Sequence, residues 1–404
     1  MHKQRIVVIG GGAAGFFGAI RMAEKSPDNE IIILEAGNKL LSKVRISGGG
    51  RCNVTHDCME NSELIRNYPR GDKALRQVFS RFTVSDIVAW FNGKGVELKT
   101  EADGRMFPSS NDSATIVNCF IGEAERLGIN IRTGVRVTEI IPGKKIEILG
   151  EKGQRILADK VLVTTGGNAS KEFYNLFRKI GHTIHEPVPS LFTFNIRSKD
   201  LHQLMGISMQ DATVRISGTK FSESGAMLIT HWGLSGPAVL KLSSLAARDL
   251  AEKRYEFNVS VSWSSFTSTQ LDERIAGYRI NSGSKKLKNL PLISPIRLWE
   301  YLIERAGITE HATYADLNKK AIVRLISTLS SDEYNVSGKT TFKEEFVTCG
   351  GVSLDEVNMK TMESKKVPGL FFAGEVLDID GLTGGFNFQS AWSTAAVAAD
   401  SIIP

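Results

Sequence analysis

The stretch from Arg5 to Glu35 reads as strand, glycine turn, helix and second strand, and the rest of the chain must be arranged around it. Ile6, Val7, Val8 and Ile9 form a continuous apolar run, as expected for a parallel strand covered on both faces. Gly10, Gly12 and Gly15 follow at the spacing G-x-G-x-x-G. In that pattern the first glycine permits the tight turn, the second lets the backbone approach a pyrophosphate, and the third lets the helix pack close to the strand. The spacing predicts a helix over Ala13–Lys25 whose first amides face the phosphates, where the helix dipole favours negative charge. Ile31 to Leu34 make the second strand, and Glu35 stands at its C-terminal edge, placed to hold ribose hydroxyls and to repel a 2′-phosphate. Glycine turns are common for structural reasons alone. Here the preceding strand, the following helix and the acid at the next strand's end identify dinucleotide binding. FAD and NAD share this adenosine-side recognition, so the motif leaves the choice between them open.

A chain of 404 residues has room for two or three domains and a large core. Its apolar and charged fractions are those of a globular protein. No apolar run approaches the roughly 20 residues of a membrane span. The N-terminus enters a strand directly, so no signal peptide is expected and the expected location is cytoplasmic. Cys52, Cys58, Cys119 and Cys349 are scattered, with no C-x-x-C pair and no Cys/His cluster at zinc spacing, which predicts reduced thiols and no metal site. The net charge of +6 is unevenly spread. From Phe266 to Thr328 ten basic residues (Arg274, Arg279, Lys285, Lys286, Lys288, Arg297, Arg305, Lys319, Lys320, Arg324) face six acids, a local +4. That excess suits a polyanionic partner, and a solvated helical face is the plainer reading.

Leu40–Thr55 sets Gly48, Gly49 and Gly50 before Arg51 and reads as a glycine-rich loop, cleared of side chains where the backbone passes something flat or charged. Arg51 and Asn53 are donors suited to a pyrophosphate or a flavin's polar edge, and Lys43 adds a positive charge; a simple surface loop is the alternative. Apolar positions from Leu75 to Phe91 predict two short amphipathic helices, and Asn111 to Asp112 caps a third that Gly128 stops. Ile129–Arg132, Val135–Ile140 and Lys145–Leu149 read as an antiparallel meander, before a buried strand over Lys160–Thr165 that ends at Gly166 and Gly167. Pro187 and Pro189 force an extended segment and mark the start of a β-rich second domain. Within it, Leu191–Ile196, Ala212–Ile216 and Tyr255–Trp263 read as strands, and Ser235 as the N-cap of a helix running toward Leu250. Thr269–Leu329 has helical spacing, and around Thr340–Thr348 the chain returns to the first domain. Leu370–Phe372 then forms a strand ended by Gly374 and Glu375, and a loop with Gly381, Gly384 and Gly385 precedes a small-residue helix. Amides at that helix start would stabilise the negative charge at the N1 and C2-carbonyl edge of a reduced flavin, with Glu375 accepting from ribityl hydroxyls; a purely structural strand and helix is the alternative.

Four strings, ISGGGRCNVT (Ile46–Thr55), THWGLSGP (Thr230–Pro237), VTCGGV (Val347–Val352) and TMESKKVPGLFFAGEVLDIDGLTGGFNFQSAW (Thr361–Trp392), resemble in order those of the BaiN/RdsA family of NAD(P)/FAD-dependent flavoproteins. The resemblance covers most of the chain. It implies an α/β fold: a Rossmann-like FAD-binding domain of the GR2 type over 1–187 and 346–404, with an inserted β-barrel-like substrate domain over 188–265 and 329–345 that carries a helical subdomain over 266–328. It implies FAD as the resident dinucleotide, and by motif position it carries over Gly10, Gly12, Glu35, Arg51, Gly374, Glu375 and the loop Gly384, Gly385, Phe386, Asn387 and Phe388. Gly15, Lys43, Gly49, Gly50 and Asn53, with the neighbouring Ala13, Ala14, Ala36, Val135, Thr165 and Gly166, complete the candidate cofactor residues. There is no second G-x-G-x-x-G, so NAD(P)H is expected to visit as a transient co-substrate. The chain departs from the family pattern at Ser42 (usually Gly), at His56 (usually Asn) and at Asn168–Glu172, where a Pro- and Gly-rich loop is shortened.

The implied activity is an FAD-dependent oxidoreductase in which NAD(P)H reduces the flavin and hydride then passes to an activated C=C bond. Family members are associated with uridine reduction in ribosomal RNA and with reduction of unsaturated steroid-like acids. Uridine in rRNA, giving dihydrouridine, is the leading substrate because the basic helical subdomain suits a phosphate backbone, with a small molecule as the other choice. Hydride at one carbon requires a proton at its neighbour. Cys52, His231 and Cys349 are the titratable candidates in the family strings, each with a packing or loop-holding role as its alternative. The competing readings are a flavin-dependent oxidase of small amines and an rRNA- or ribosome-associated binding protein with a structural flavin.

Overall fold

The computed structural model describes residues 3–168, 170–340 and 347–403, so Ala169 of the shortened loop and most of the expected return around 340–348 lie outside the described residues. Among the described residues, 3–190 and 347–403 form one unit and 191–340 a second.

In the first unit the apolar runs become the centre of a seven-stranded sheet. Arg5–Ile9 pairs in parallel with Glu30–Leu34 on one side and Lys160–Val163 on the other. Asn130–Arg132 and Leu370–Phe372 extend the parallel sheet outward, and Val357–Asn358 and Glu363–Ser364 add an antiparallel edge. Ile6 to Val8, Ile32, Ile33 and Val161 to Val163 have almost no exposed surface, which is why these runs do not alternate. The first helix, Ala13–Lys25, packs beside the last, Phe386–Ile402, through small residues: a Cβ on Gly18 would stand 3.7 Å from that of Ala395. Phe17, Trp90, Phe120 and Trp392 make a contiguous aromatic cluster that ties both helices to Val84–Gly93 and Ser113–Arg126. From the central strand the chain runs first to one side and later to the other, so the strand ends diverge between Ile9 and Val163 and leave the crevice where open α/β sheets bind ligands.

The structure differs from the local reading at four places. Asn130–Arg132 is not in a meander; it is the parallel edge strand, with Ile131 beside Ile33. The meander is Val137–Ile141, Ile146–Gly150 and Arg155–Ala158, its third strand lying beyond the expected span. Three residues are too few for alternation to separate an edge strand from a hairpin. Ser235 is not a cap but the end of strand Gly233–Ser235; Gly236 caps the helix Pro237–Leu245 at φ 93°, with Pro237 in the first-turn position that suits its fixed φ. The stretch after Leu40 is not all loop: Ser42–Gly50 is helical at its start and leaves helical geometry at Ser47, Gly48 and Gly49. The Pro187 and Pro189 segment is itself a strand, Ile184–Ser190, paired antiparallel with Val347–Val352 inside the first unit.

The second unit is built on a closed barrel of Thr193–Ile196, Gly233–Ser235, Ser222–Thr230, Ser208–Ile216, Glu256–Ser262 and Asp332–Thr340, in that order. Phe194, Val214, Ile229, Val259, Val261 and Val336 fill it from alternate positions. Helices Ser268–Ser282, Ile296–Arg305 and Lys319–Ser330 pack through Leu271, Ile275, Trp299, Leu302 and Leu325. Among the described residues no helix is long and apolar enough to cross a membrane.

Candidate functional site

The glycine turn separates structural from functional demands. A Cβ on Gly10 would lie 2.5 Å from the Thr164 carbonyl oxygen, and one on Gly15 would lie 2.0 Å from that of Gly10, so the fold itself requires both glycines. Gly12 is different. It caps the first helix at φ −95°, an ordinary value, and a Cβ there would meet nothing within 4 Å. Neither conformation nor packing accounts for a glycine, whereas a ligand pressed against the backbone does. Ala13 and Ala14 begin a helix with no side-chain cap and no acid in its first turn, so its N–H groups and dipole are left for an anion. Glu35 accepts from the Gly11 N–H at 2.8 Å and the Gly37 N–H at 2.7 Å, which fixes its carboxylate beside the turn, and its own carbonyl accepts from Val135 N–H at 2.9 Å. Ala36 is exposed next to it.

The second wall joins Arg51–Thr55 to the turn before the last helix. Asn53, oriented by its partners, accepts from Gly385 N–H and donates to the Thr55 carbonyl, both at 3.0 Å. A Cβ on Gly385 would sit 2.5 Å from the Thr55 oxygen, so the two strings touch backbone to backbone. His56 occupies its departure from the family pattern with a hydrogen bond of 3.0 Å to the Gly384 carbonyl and a stacked contact on Phe386. Asn387 spends its amide within the turn, accepting from Gly381 N–H at 2.8 Å and donating to the Gly381 carbonyl at 2.9 Å, and Phe388 stacks on Trp392. Arg51 does not point at open space: it pairs with Glu101 at 2.5 Å and lies 4.0 Å over the Phe107 ring. A Cβ on Gly49 or Gly50 would meet nothing within 4 Å. Cys52 has no exposed surface, and burial pushes its thiol up to about 12, so it stays protonated.

Lys43 and Glu375, 332 positions apart, pair at 2.7 Å, and the other Glu375 oxygen accepts from Thr348 N–H at 2.8 Å. Gly374 packs against Ala14 and Ala391, wedged between the two helices. A Cβ on Gly167 would stand 2.4 Å from Thr348 Oγ1 and 2.7 Å from Glu375 Oε1, so these groups share one spot. Thr348 Oγ1 and Thr165 Oγ1 are buried hydroxyls without a partner among the described residues, and Gly166 faces open space. Two unsatisfied hydroxyls, two uncapped helix starts and Gly12 suit a ligand with a pyrophosphate and a polar ring edge. Cys349 is buried opposite Val188 in the strand pair, next to Thr348.

His231 belongs to the second unit, exposed at the turn between Ser222–Thr230 and Gly233–Ser235, its ring against that of Trp232. In the same unit a cleft of about 990 Å³ is lined by Lys288, Arg297, Arg305, Asp200, Glu300, Glu304 and Glu310 among others. Arg297 is tied to the Gln203 carbonyl, Arg305 to Asp332, Arg324 to the Ala306 carbonyl, and Arg274 stacks on Phe266. The arginines of the basic stretch are therefore mostly structural, and its cleft does not suit a polyanion.

Sequence reasoning missed Thr164, whose hydroxyl donates to the Ile9 and Gly10 carbonyls, as well as Thr348, Tyr68, Arg70 and Asp380. Only the position of Thr348 and Asp380 inside the family strings was a signal.

The chain matches the model of the HI0933-like protein Rossmann domain over residues 4–401. It is similar to the ribosomal RNA dihydrouridine synthase of Escherichia coli (strain K12), 30% identical over 414 residues that cover 100% of this chain and 99% of the relative. It is 29% identical to the 3-dehydro-bile acid delta(4,6)-reductase of Clostridium scindens over 411 residues, 98% of either chain. The solved 3-ketosteroid delta1-dehydrogenase of Sterolibacterium denitrificans shares the fold, with a TM-score of 0.54 at 10% identity over the whole of both chains. The chain belongs to the HI0933-like Rossmann family and is an FAD-dependent oxidoreductase.

Proposed function

We propose that the protein is an NAD(P)H-driven reductase of an activated C=C bond, with uridine in ribosomal RNA as substrate and dihydrouridine as product. The observation that carries this reading is the full-length relative at 30% identity named as an rRNA dihydrouridine synthase. A second full-length relative is also named as a reductase, which favours reduction over amine oxidation. Lys285, Lys286, Lys319 and Lys320 support an RNA substrate: their ammonium groups carry no ion pair among the described residues, and the Lys285 carbonyl accepts from Tyr314 N–H, so the first two run beside the 313–315 turn.

When bound, FAD would supply the two-electron chemistry, hydride exchange between a nicotinamide and the electron-poor carbon of the alkene. The Gly12 backbone and the start of the first helix would hold the pyrophosphate, and Glu35 the ribose. Lys43, Glu375, Thr165 and Thr348 would provide polar contacts to the cofactor, and the first amides of the last helix would stabilise negative charge on its pyrimidine edge. The neighbouring carbon needs a proton, and the candidates are Cys52 and Cys349, both buried in the first unit, and His231, exposed in the second. The test is to incubate holoprotein with unmodified ribosomal RNA and NADPH or NADH without oxygen, then weigh the nucleosides. The expected result is uridine that has gained two hydrogens; unaltered uridine beside a flavin that turns over a small unsaturated acid refutes the RNA assignment.

A further inference from the structure

The turn that delivers the last helix is held from outside by a segment far away in the chain, Asn67–Gly71. The Asn67 carbonyl accepts from Leu382 N–H at 2.8 Å. Tyr68 is buried and donates its hydroxyl to the Phe386 carbonyl, in the first turn of that helix, at 2.7 Å. Arg70 grips both carboxylate oxygens of Asp380 through Nε and Nη2, and the two backbones form an antiparallel bridge. The fit is tight on both sides: a Cβ on Gly71 would lie 2.7 Å from Ile379 Cγ1, and one on Gly381 would lie 3.1 Å from the Tyr68 ring. Asp380 has no exposed surface and also accepts from Ser190 Oγ at 2.8 Å.

These contacts specify more than packing needs. A buried carboxylate tolerates few arrangements once a guanidinium fork and a hydroxyl are set around it, so Asp380 fixes where residues 379–382 run. A phenylalanine would fill the space of the Tyr68 ring; the hydroxyl adds only the bond to the helix's first turn. We propose that Asn67–Gly71 is a clamp, with Tyr68 and Arg70 as positioning residues that hold the first amides of the last helix against the flavin and so favour its reduced form. The inference rests on the reading that the pyrimidine edge of the flavin lies at that helix start. Loosening the clamp weakens binding of reduced flavin, whose negative charge uses those amides, more than binding of oxidised flavin.

The experiment uses the full chain and the variants Tyr68→Phe and Arg70→Lys, with Arg5→Gln, an exposed pair with Glu30 in the first unit, as the control. FAD affinity of the deflavinated protein is read by flavin fluorescence and the midpoint potential of bound flavin by redox titration. Tyr68→Phe should weaken FAD binding by up to about fivefold, the most that losing one buried hydrogen bond within the protein can pass on to the ligand. In Arg70→Lys the affinity for reduced flavin should fall about tenfold more than that for oxidised flavin, a potential lowered by about 30 mV. The control should match the parent protein. Variants that melt earlier but keep the parent's affinity and potential overturn the clamp and leave it a structural contact. A loss of affinity with an unchanged potential also overturns it, because the amides then do not act on the reduced form. A parent protein that binds no FAD overturns instead the cofactor reading beneath it.

Discussion

Gly12→Ala should abolish tight FAD binding while leaving the folded chain as stable as before. The added methyl meets no atom within 4 Å, and φ −95° is open to alanine. Alanine is a poorer helix cap than glycine by about 0.5 kcal/mol. It also restricts the unfolded chain, worth about 0.4–1 kcal/mol in the other direction, so the net change in the deflavinated protein is within about 0.5 kcal/mol. The pyrophosphate is affected far more. The methyl occupies the space in which a phosphate oxygen meets the first amides, and losing two charge-assisted hydrogen bonds of about 1.5 kcal/mol each costs roughly 3 kcal/mol. That is about a hundredfold in affinity. Gly15→Ala is the contrast: its Cβ would lie 2.0 Å from the Gly10 carbonyl oxygen, so the helix must shift, at about 3 kcal/mol of fold stability. Denaturant unfolding of the deflavinated proteins gives the first quantity, and fluorescence titration with FAD gives the second. The reasoning fails if Gly12→Ala unfolds as readily as Gly15→Ala, or if it binds FAD like the parent.

Cys52→Ser should leave flavin reduction by NAD(P)H and turnover of the alkene substrate at the parent's rates, since burial holds the thiol up at about 12 and its role is packing; stopped-flow measurement of the two half-reactions checks both, and a loss of about a hundredfold in the second would make the thiol the general acid. Glu356 sits at the sheet edge, where burial opposes ionisation but Lys366 and the Thr183 N–H and hydroxyl outweigh it and hold the carboxyl at about 2. Because the folded value is depressed, this contribution is complete above the ordinary 4.5 and is lost as pH falls toward 2, so Glu356→Gln should flatten acid unfolding in that window. Replacing Lys285, Lys286, Lys319 and Lys320 with Gln should reduce the slope of log affinity for rRNA against log salt by about 3, at roughly 0.7 per single-stranded phosphate contact; an unchanged slope shows that these lysines do not bind RNA.

What could be read in advance was local. The run Ile6 to Ile9, the glycine spacing and Glu35 lie within one βαβ unit, so a strand, a turn and a helix declare themselves by neighbouring residues. Asp112 was recognisable as a cap because the acceptor and its N–H, on Ala114, are two positions apart. The place of Asn130–Arg132 is not legible because the strand is short and its partner, Ile32–Leu34, is about a hundred positions earlier. The site suffers most from this distance. Arg70 meets Asp380 across 310 positions, and Lys43 meets Glu375 across 332, with no periodicity to announce either pair. The unpartnered hydroxyls of Thr165 and Thr348 become informative only once burial is known. The basic stretch was readable as a count, but which side chains are occupied was not: Arg297, Arg305 and Arg324 each hold a carbonyl or carboxylate.

The most direct test is the anaerobic absorbance of the holoprotein's flavin on adding NADPH, NADH or a small primary amine such as aminoacetone, followed by unmodified ribosomal RNA. A reductase of rRNA uridine should bleach with a nicotinamide, ignore the amine, and recover its yellow colour when RNA is added. Bleaching by the amine alone, with no response to either nicotinamide, contradicts the reading and makes the protein an oxidase.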